Sequence, residues 1–402
     1  MRCRVARSAV ALGSAVLLTF GSVACGGTPT PPRVSSDDLT IEPQVEIGSD
    51  GTVVEVADGP EPVSPAGDGN AVCPPLSIAM AGGPRGSDPV LGMDIKNGIQ
   101  LAVDQHNAAN PSCQVQLKTF DSEGDPTKGA ELAAQIVDDA FTVGVVGPMS
   151  SGQAQAAGPV FDRAGLVAVT PSASATALSG RGWRTFFRGI ASNAVQGAAT
   201  AEYMSSTLGH RKVCVVDDSS DQGLDLASSV RETLGPRSDV ACNIAVGQEG
   251  ADSSVVAQII GAAPDAVFFA GDAAGAAALV RRLREAGFEG AFVTMAGAMT
   301  EEFVDEAGAA ARDALVSCPC APAAPEFVDE YESIFDQLPG PYAAEAYDLG
   351  TILLKGIDSG ASTRAALLDF VGTYDGQGMA RRYQWVADGE LANPSIWLNQ
   401  VR

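Results

Sequence analysis

The chain has 402 residues, 46% hydrophobic and 18% charged, which suffices for a large core and, by length alone, for two or three domains. A formal net charge of −24 leaves no basic surface from which a polyanion could release counterions, so nucleic acid is excluded as a partner. The same charge says little about small ligands, because the field in a pocket need not follow that of the whole surface.

In chain order, Arg2, Arg4 and Arg7 precede the apolar run AVALGSAVLLTF, and small residues lead to Cys25 in GSVACGG. This pattern predicts a signal peptide over residues 1–24. A cysteine directly after the cleavage site resembles a bacterial lipobox, although Ser22 stands where an aliphatic residue is usual. Cys25 is therefore expected to be lipidated and to anchor the protein on the extracytoplasmic face of the plasma membrane. No later apolar stretch reaches the ~20 residues of a spanning helix. Residues 25–72 carry Pro, Gly, Ser and Thr punctuation and nine acidic side chains between Asp37 and Asp68, and are expected to form a disordered acidic tether. As a flexible coil it would span roughly 35–40 Å.

From Cys73 the pattern alternates between strand and helix. PLSIAMAGG, CQVQLKTFDSEGD, TVGVVGPMSS and LVAVTPSAS read as strands, and GMDIKNGIQLAVDQHNAA, TKGAELAAQIVDD and GQAQAAGPVFDRAG as the helices between them. After FFRGIASN the alternation restarts, with strands at KVCVVDDSS, VACNIAVGQ, DAVFFAGD and AFVTMAG. Such series imply parallel sheets flanked by helices, an α/β chain of two similar Rossmann-like lobes. Cys73 and Cys113 open neighbouring strands of the first lobe, and Cys214 and Cys242 neighbouring strands of the second. Cys73–Cys113 and Cys214–Cys242 are thus the expected disulfides of an exported chain. Cys318 and Cys320 could close a small ring or remain thiols. No C-x-x-C pair exists, and His106 and His210 are isolated surface candidates, so neither a metal nor a cofactor is expected.

Ligands of open parallel sheets bind beyond the carboxyl ends of the strands. There the first lobe carries MAGGPRGS, GPMSSGQ and TPSASAT, which places Ser150, Ser151, Ser172 and Ser174 around one crevice. Neither Ser150 nor Ser151 has the glycine two residues earlier that a nucleophile elbow requires, and no histidine stands by as base. A phosphate loop lacks its lysine, and AGGPRG lacks dinucleotide spacing. What remains is a pair of helix caps, or a clamp of hydroxyls and helix N-terminal N–H groups on an anion such as a carboxylate.

The stretches IAMAGGPRGSDPVLGMDIKNGIQLAVDQHN, VVGPMSSGQAQAAGPVFDRAGLVAVTPSASATAL, RGWRTFFRGIASNAVQGAATAEYM and PYAAEAYDLGTILLKGI, in that order, resemble the type I periplasmic binding proteins. The nearest branch is the leucine/isoleucine/valine and amide-binding proteins of ABC importers. The resemblance implies two lobes joined by a three-strand hinge with a ligand cleft between them. Crossovers would fall near 191–192, 317–320 and 372–375. The first lobe would comprise 73–191 and 319–372, the second 192–318 and 373–402. It also implies that Ser151, Ala173 and Ser174, with Ser150 beside them, hold a ligand carboxylate. Leu91, Gln222 and Asp272 would line the cleft, and Ala296 stands where amino-acid binders of this branch place an acid against the ligand's ammonium. Either Asp272 takes over the amine or the ligand has none. A monomeric solute-binding lipoprotein working with an ABC permease, without enzymatic activity, is the expected function; a ligand-sensing module for a membrane signalling partner is the alternative.

Overall fold

A computed structural model describes residues 39–402 apart from 56–59, 84–88, 124 and 248–250; the signal segment, Cys25 and the start of the expected tether lie outside them. The first element is a strand, β1 (Ile41–Gly48), inside the segment expected to be disordered. Ile41, Pro43, Val45 and Ile47 occupy alternate positions, the period of a half-buried strand. Ile47 is fully buried against Ile396, Leu398 and Ala191. Pro43 is tolerated because β1 is an edge strand, where a missing N–H costs no ladder bond on the open side. Further on, Val63 N–H donates to the Gln377 carbonyl (2.8 Å), and Asn110 donates to the Ala66 carbonyl and accepts from Ala71 N–H, both at 3.0 Å. Residues 41–48 and 63–71 are therefore packed chain rather than free tether. Glu42 and Glu46, two of the nine acids that suggested a linker, alternate with the apolar residues of β1 on the strand's other face.

The next elements are β2 (Leu76–Ala81), α1 (Pro89–Ala109), β3 (Val115–Phe120), α2 (Gly129–Asp138), β4 (Thr142–Val146), α3 (Ser151–Ala164), β5 (Val167–Thr170) and β6 (Phe186–Arg188). They build a parallel sheet in the order β3-β2-β4-β5-β6. Every residue of β2 is buried, because alternate side chains serve different helix layers. Ile78 and Met80 join the cluster of α1, while Ala79 and Ala81 join that of α2 and α3.

The second lobe runs through α4 (Asn193–Glu202), β7 (Val213–Asp217), α5 (Asp221–Leu234), β8 (Ile244–Ala245), α6 (Ser253–Ala262), β9 (Ala266–Ala270), α7 (Ala273–Glu285), β10 (Ala291–Met295), α8 (Glu301–Ala307) and β11 (Leu315–Cys318). Its parallel strands lie in the order β8-β7-β9-β10-β11, the same succession of neighbours as in the first lobe. The chain then continues through α9 (Pro325–Phe335), α10 (Ala343–Asp358), α11 (Arg364–Gly372), β12 (Asp375–Gln377), β13 (Arg382–Gln384) and β14 (Ser395–Val401). Helix α10 packs on α1 so closely that a Cβ on Gly98 would overlap the Ala343 carbonyl. Strand β14 pairs antiparallel with β11 and with β1.

Residues 373–402, expected wholly in the second lobe, divide. Tyr383 and Trp385 bury into the first lobe's core, and Trp385 meets Phe187 edge-on with ring centroids 5.5 Å apart. Asp348 on α10 accepts Met379 N–H (2.7 Å) and Ala380 N–H (2.8 Å), fixing the β12–β13 hairpin to that lobe. The third crossover therefore falls between β13 and β14, later than expected, because this aromatic surface needs the first lobe's core to cover it.

Disulfides join Cys73–Cys113, Cys214–Cys242 and Cys318–Cys320, with Cα–Cα separations of 4.6, 5.1 and 5.0 Å. The first two bridge neighbouring parallel strands near their starts. The third closes a ring at the end of β11, where the chain crosses between lobes. There the buried Arg381 donates to the Pro319 carbonyl (2.6 Å) and to Glu345 (2.8 Å), and Glu345 also accepts Ala321 N–H (2.7 Å). One buried ion pair thus holds the second crossover against α10 and the hairpin.

Candidate functional site

The site begins with two turns. After β4 the chain passes Gly147, whose φ of 119° is a conformation that side-chain-bearing residues rarely adopt. Ser150 then caps α3, its hydroxyl accepting Gln153 N–H at 3.3 Å. The N–H groups of Ser151 and Gly152, in the first turn of α3, have no partner among the described residues.

The turn after β5 is stitched to this one. Thr170 Oγ1 donates to the Pro148 carbonyl and Ser172 Oγ to the Met149 carbonyl, both at 2.7 Å. Ser151 Oγ accepts Ala175 N–H at 3.0 Å, which leaves its own proton available. Ala173 is fully buried, its N–H donating to Thr170 Oγ1 (3.0 Å). Ser174 is 5% exposed and its carbonyl accepts Asn193 N–H (2.8 Å), while its own N–H and Oγ have no partner among the described residues. Unengaged donors from two adjacent strand ends thus converge at Ser151, Gly152 and Ser174. Their positive dipole ends are suited to a carboxylate.

The residues expected on the facing side are placed differently. Asp272 caps α7, accepting Gly275 N–H at 2.8 Å. Gln222 is exposed on the first turn of α5. Ala296 follows β10 and is half-buried, packing with Met299 against the first lobe's core cluster; Leu91 on α1 packs against the same cluster. No hydrogen bond joins Gln222 or Asp272 to the serine turns among the described residues.

Two residues that sequence reasoning passed over connect the lobes here. Asp225 on α5 accepts Thr176 N–H and Asn193 Nδ2–H, both at 2.9 Å. The N-terminal half of α5 in the second lobe therefore touches the turn after β5 in the first. A signal existed: Asp221 and Asp225 stand four apart on one helix, a like-charge spacing that is unfavourable unless one acid finds a partner elsewhere.

His106, expected at the surface, is fully buried, with Nε2 2.8 Å from Asp358. Cys113 lies close enough to suggest a metal set, but its sulfur is committed to Cys73. No helix among the described residues is long and apolar enough to cross a membrane.

Two lobes with the same strand order, joined by crossovers, define a class of two-lobed binding proteins. Residues 75–402 match the periplasmic binding protein family, and the chain belongs to it. It is 26% identical over 294 residues to the leucine-, isoleucine-, valine-, threonine-, and alanine-binding protein of Pseudomonas aeruginosa, covering 70% of this chain and 78% of that one. With the Leu/Ile/Val-binding protein of Escherichia coli it shares 25% identity over 253 residues, 62% of this chain and 69% of that one. Among solved structures it is similar to the branched-chain amino acid transporter substrate-binding protein LivJ from Streptococcus pneumoniae in complex with isoleucine. That likeness has a TM-score of 0.72 at 25% identity and covers 81% of this chain and 95% of that one. The chain is a type I solute-binding protein of the branched-chain amino acid family, not an enzyme, and the family is extracytoplasmic. Strand β1 precedes the residues that match the family.

Proposed function

We propose that this protein captures a small carboxylate-bearing solute between its lobes and delivers it to an ABC permease. The carboxylate is held by Ser151 Oγ, the first-turn N–H groups of α3, and the N–H and Oγ of Ser174. The observation that carries this reading is the convergence of those unengaged donors beside Asp225, which already touches both lobes. Lobe closure excludes water from the site and strengthens each charge-assisted bond. Ala296 offers no charge to an ammonium, so the ligand's other end is read by neutral groups or by Asp272. The mature protein acts as a monomer held to the membrane through lipidated Cys25.

A thermal-shift screen on protein stripped of bound solute by unfolding and refolding tests the reading. Amino acids and organic acids are compared with their own primary amides. A carboxylate present at 100 times its dissociation constant should stabilise the fold by ~2.7 kcal/mol, while its amide should not. Equal stabilisation by acid and amide would overturn the carboxylate assignment.

A further inference from the structure

We infer that Arg188 is a positioning residue: its guanidinium, fixed by Glu390, draws the carbonyls of Ala173 and Ala175 to the hinge side so that Ser174 presents its donors to the cleft. This rests on the ligand site proposed above, and it names the part of the hinge that shapes it.

Arg188 ends β6 and is fully buried. Its Nε lies 3.0 and 3.1 Å from the two Glu390 oxygens, and Nη2 lies 2.8 Å from the first of them. The remaining donors leave this pair for the ligand turn: Nη1 donates to the Ala173 carbonyl at 2.7 Å and Nη2 to the Ala175 carbonyl at 3.0 Å. Asn193 N–H takes the Ser174 carbonyl between them. Three successive carbonyls are therefore pinned by residues of the first crossover. On the N–H side, Ala173, Ala175 and Thr176 bond Thr170, Ser151 and Asp225, which leaves only the Ser174 N–H open within 173–176.

The arginine is itself held in place. Trp385 Nε1 donates to its carbonyl (2.7 Å), its N–H donates to the Gly389 carbonyl (2.9 Å), and the guanidinium lies 5.6 Å from the Phe186 ring centroid. Glu390 belongs to the loop between β13 and β14, the third crossover. The ligand turn is thus braced from two hinge segments at once. Only a planar fork meets one carboxylate and two carbonyls in fixed directions; a lysine ammonium would hold one and release the others.

Amide hydrogen exchange on the full-length protein without added ligand, compared with Glu390→Gln and with the apolar double variant Arg188→Met/Glu390→Met, tests this directly. The double variant removes both charges together and so avoids an uncompensated buried ion. Exchange within residues 172–176 should accelerate about tenfold or more, the equivalent of losing a hydrogen bond of ordinary strength, while β2 and β4 stay protected. Arg188→Lys should not restore protection. Unchanged exchange at 172–176, or acceleration spread evenly over the first lobe, would overturn the positioning role. Isoleucine titrations of these variants and of Ser151→Ala/Ser174→Ala separate the two ideas. Faster local exchange in a protein whose solute affinity ignores Ser151 and Ser174 would sink the ligand site and leave the positioning intact.

Discussion

Asp348 shows how one buried group can set a pH dependence. Its carboxyl is pushed up to about 7 because burial disfavours the charge, although the N–H groups of Ala380 and Met379 favour it. The folded chain therefore binds a proton that the unfolded chain has released, and this contribution to stability is full below the ordinary carboxylate range and fades as pH rises towards 7. The wild type's melting temperature should fall between pH 5 and pH 7.5, and Asp348→Asn should flatten that fall; an unchanged slope would place the titration elsewhere. Such residues were not legible in the sequence, since Asp348 looks like any helical acid until Met379 and Ala380 fold back onto it. Arg188 escaped for the same reason, its partner lying 202 residues away. The serines were legible, because their place at strand ends is a local property that survives folding.

At the scale of elements, most of the strand and helix alternation was readable because buried parallel strands form continuous apolar runs. VACNIAVGQ, expected as one strand, instead folds as a 3-10 turn over Val240–Cys242 and the two-residue β8, which is only partly buried. Strand β1 was readable too, in the alternation of Ile41, Pro43, Val45 and Ile47, but its proline and acids resemble those of a linker. Its pairing with β14 extends the second sheet beyond the part that matches the family. Ile47→Ala should cost ~2–5 kcal/mol in chemical denaturation, as for other fully buried aliphatic truncations. A cost under about 1 kcal/mol, within the range of ordinary surface substitutions, would mean that β1 docks without contributing to the core. The hairpin β12–β13 could not be placed from sequence, because only the aromatic surface of Phe187 and its neighbours decides which lobe covers Tyr383 and Trp385.

At the scale of the whole molecule, residues 49–75 carry the chain from β1 in the second sheet to β2 in the first, so the lobes share this passage as well as the three crossovers. The proposed lipid anchor is Cys25, which lies outside the described residues. Cys25→Ala should move the protein from the membrane fraction to the soluble one, and persistent membrane association would defeat the lipid anchor. The central claim is that serine hydroxyls and N–H groups at two strand ends hold a solute's carboxylate. Calorimetric titration of the solute that stabilises the wild type, repeated on Ser151→Ala/Ser174→Ala, tests it most directly. The affinity should fall by ~2–4 kcal/mol if both hydroxyls are charge-assisted donors; an unchanged dissociation constant would contradict it.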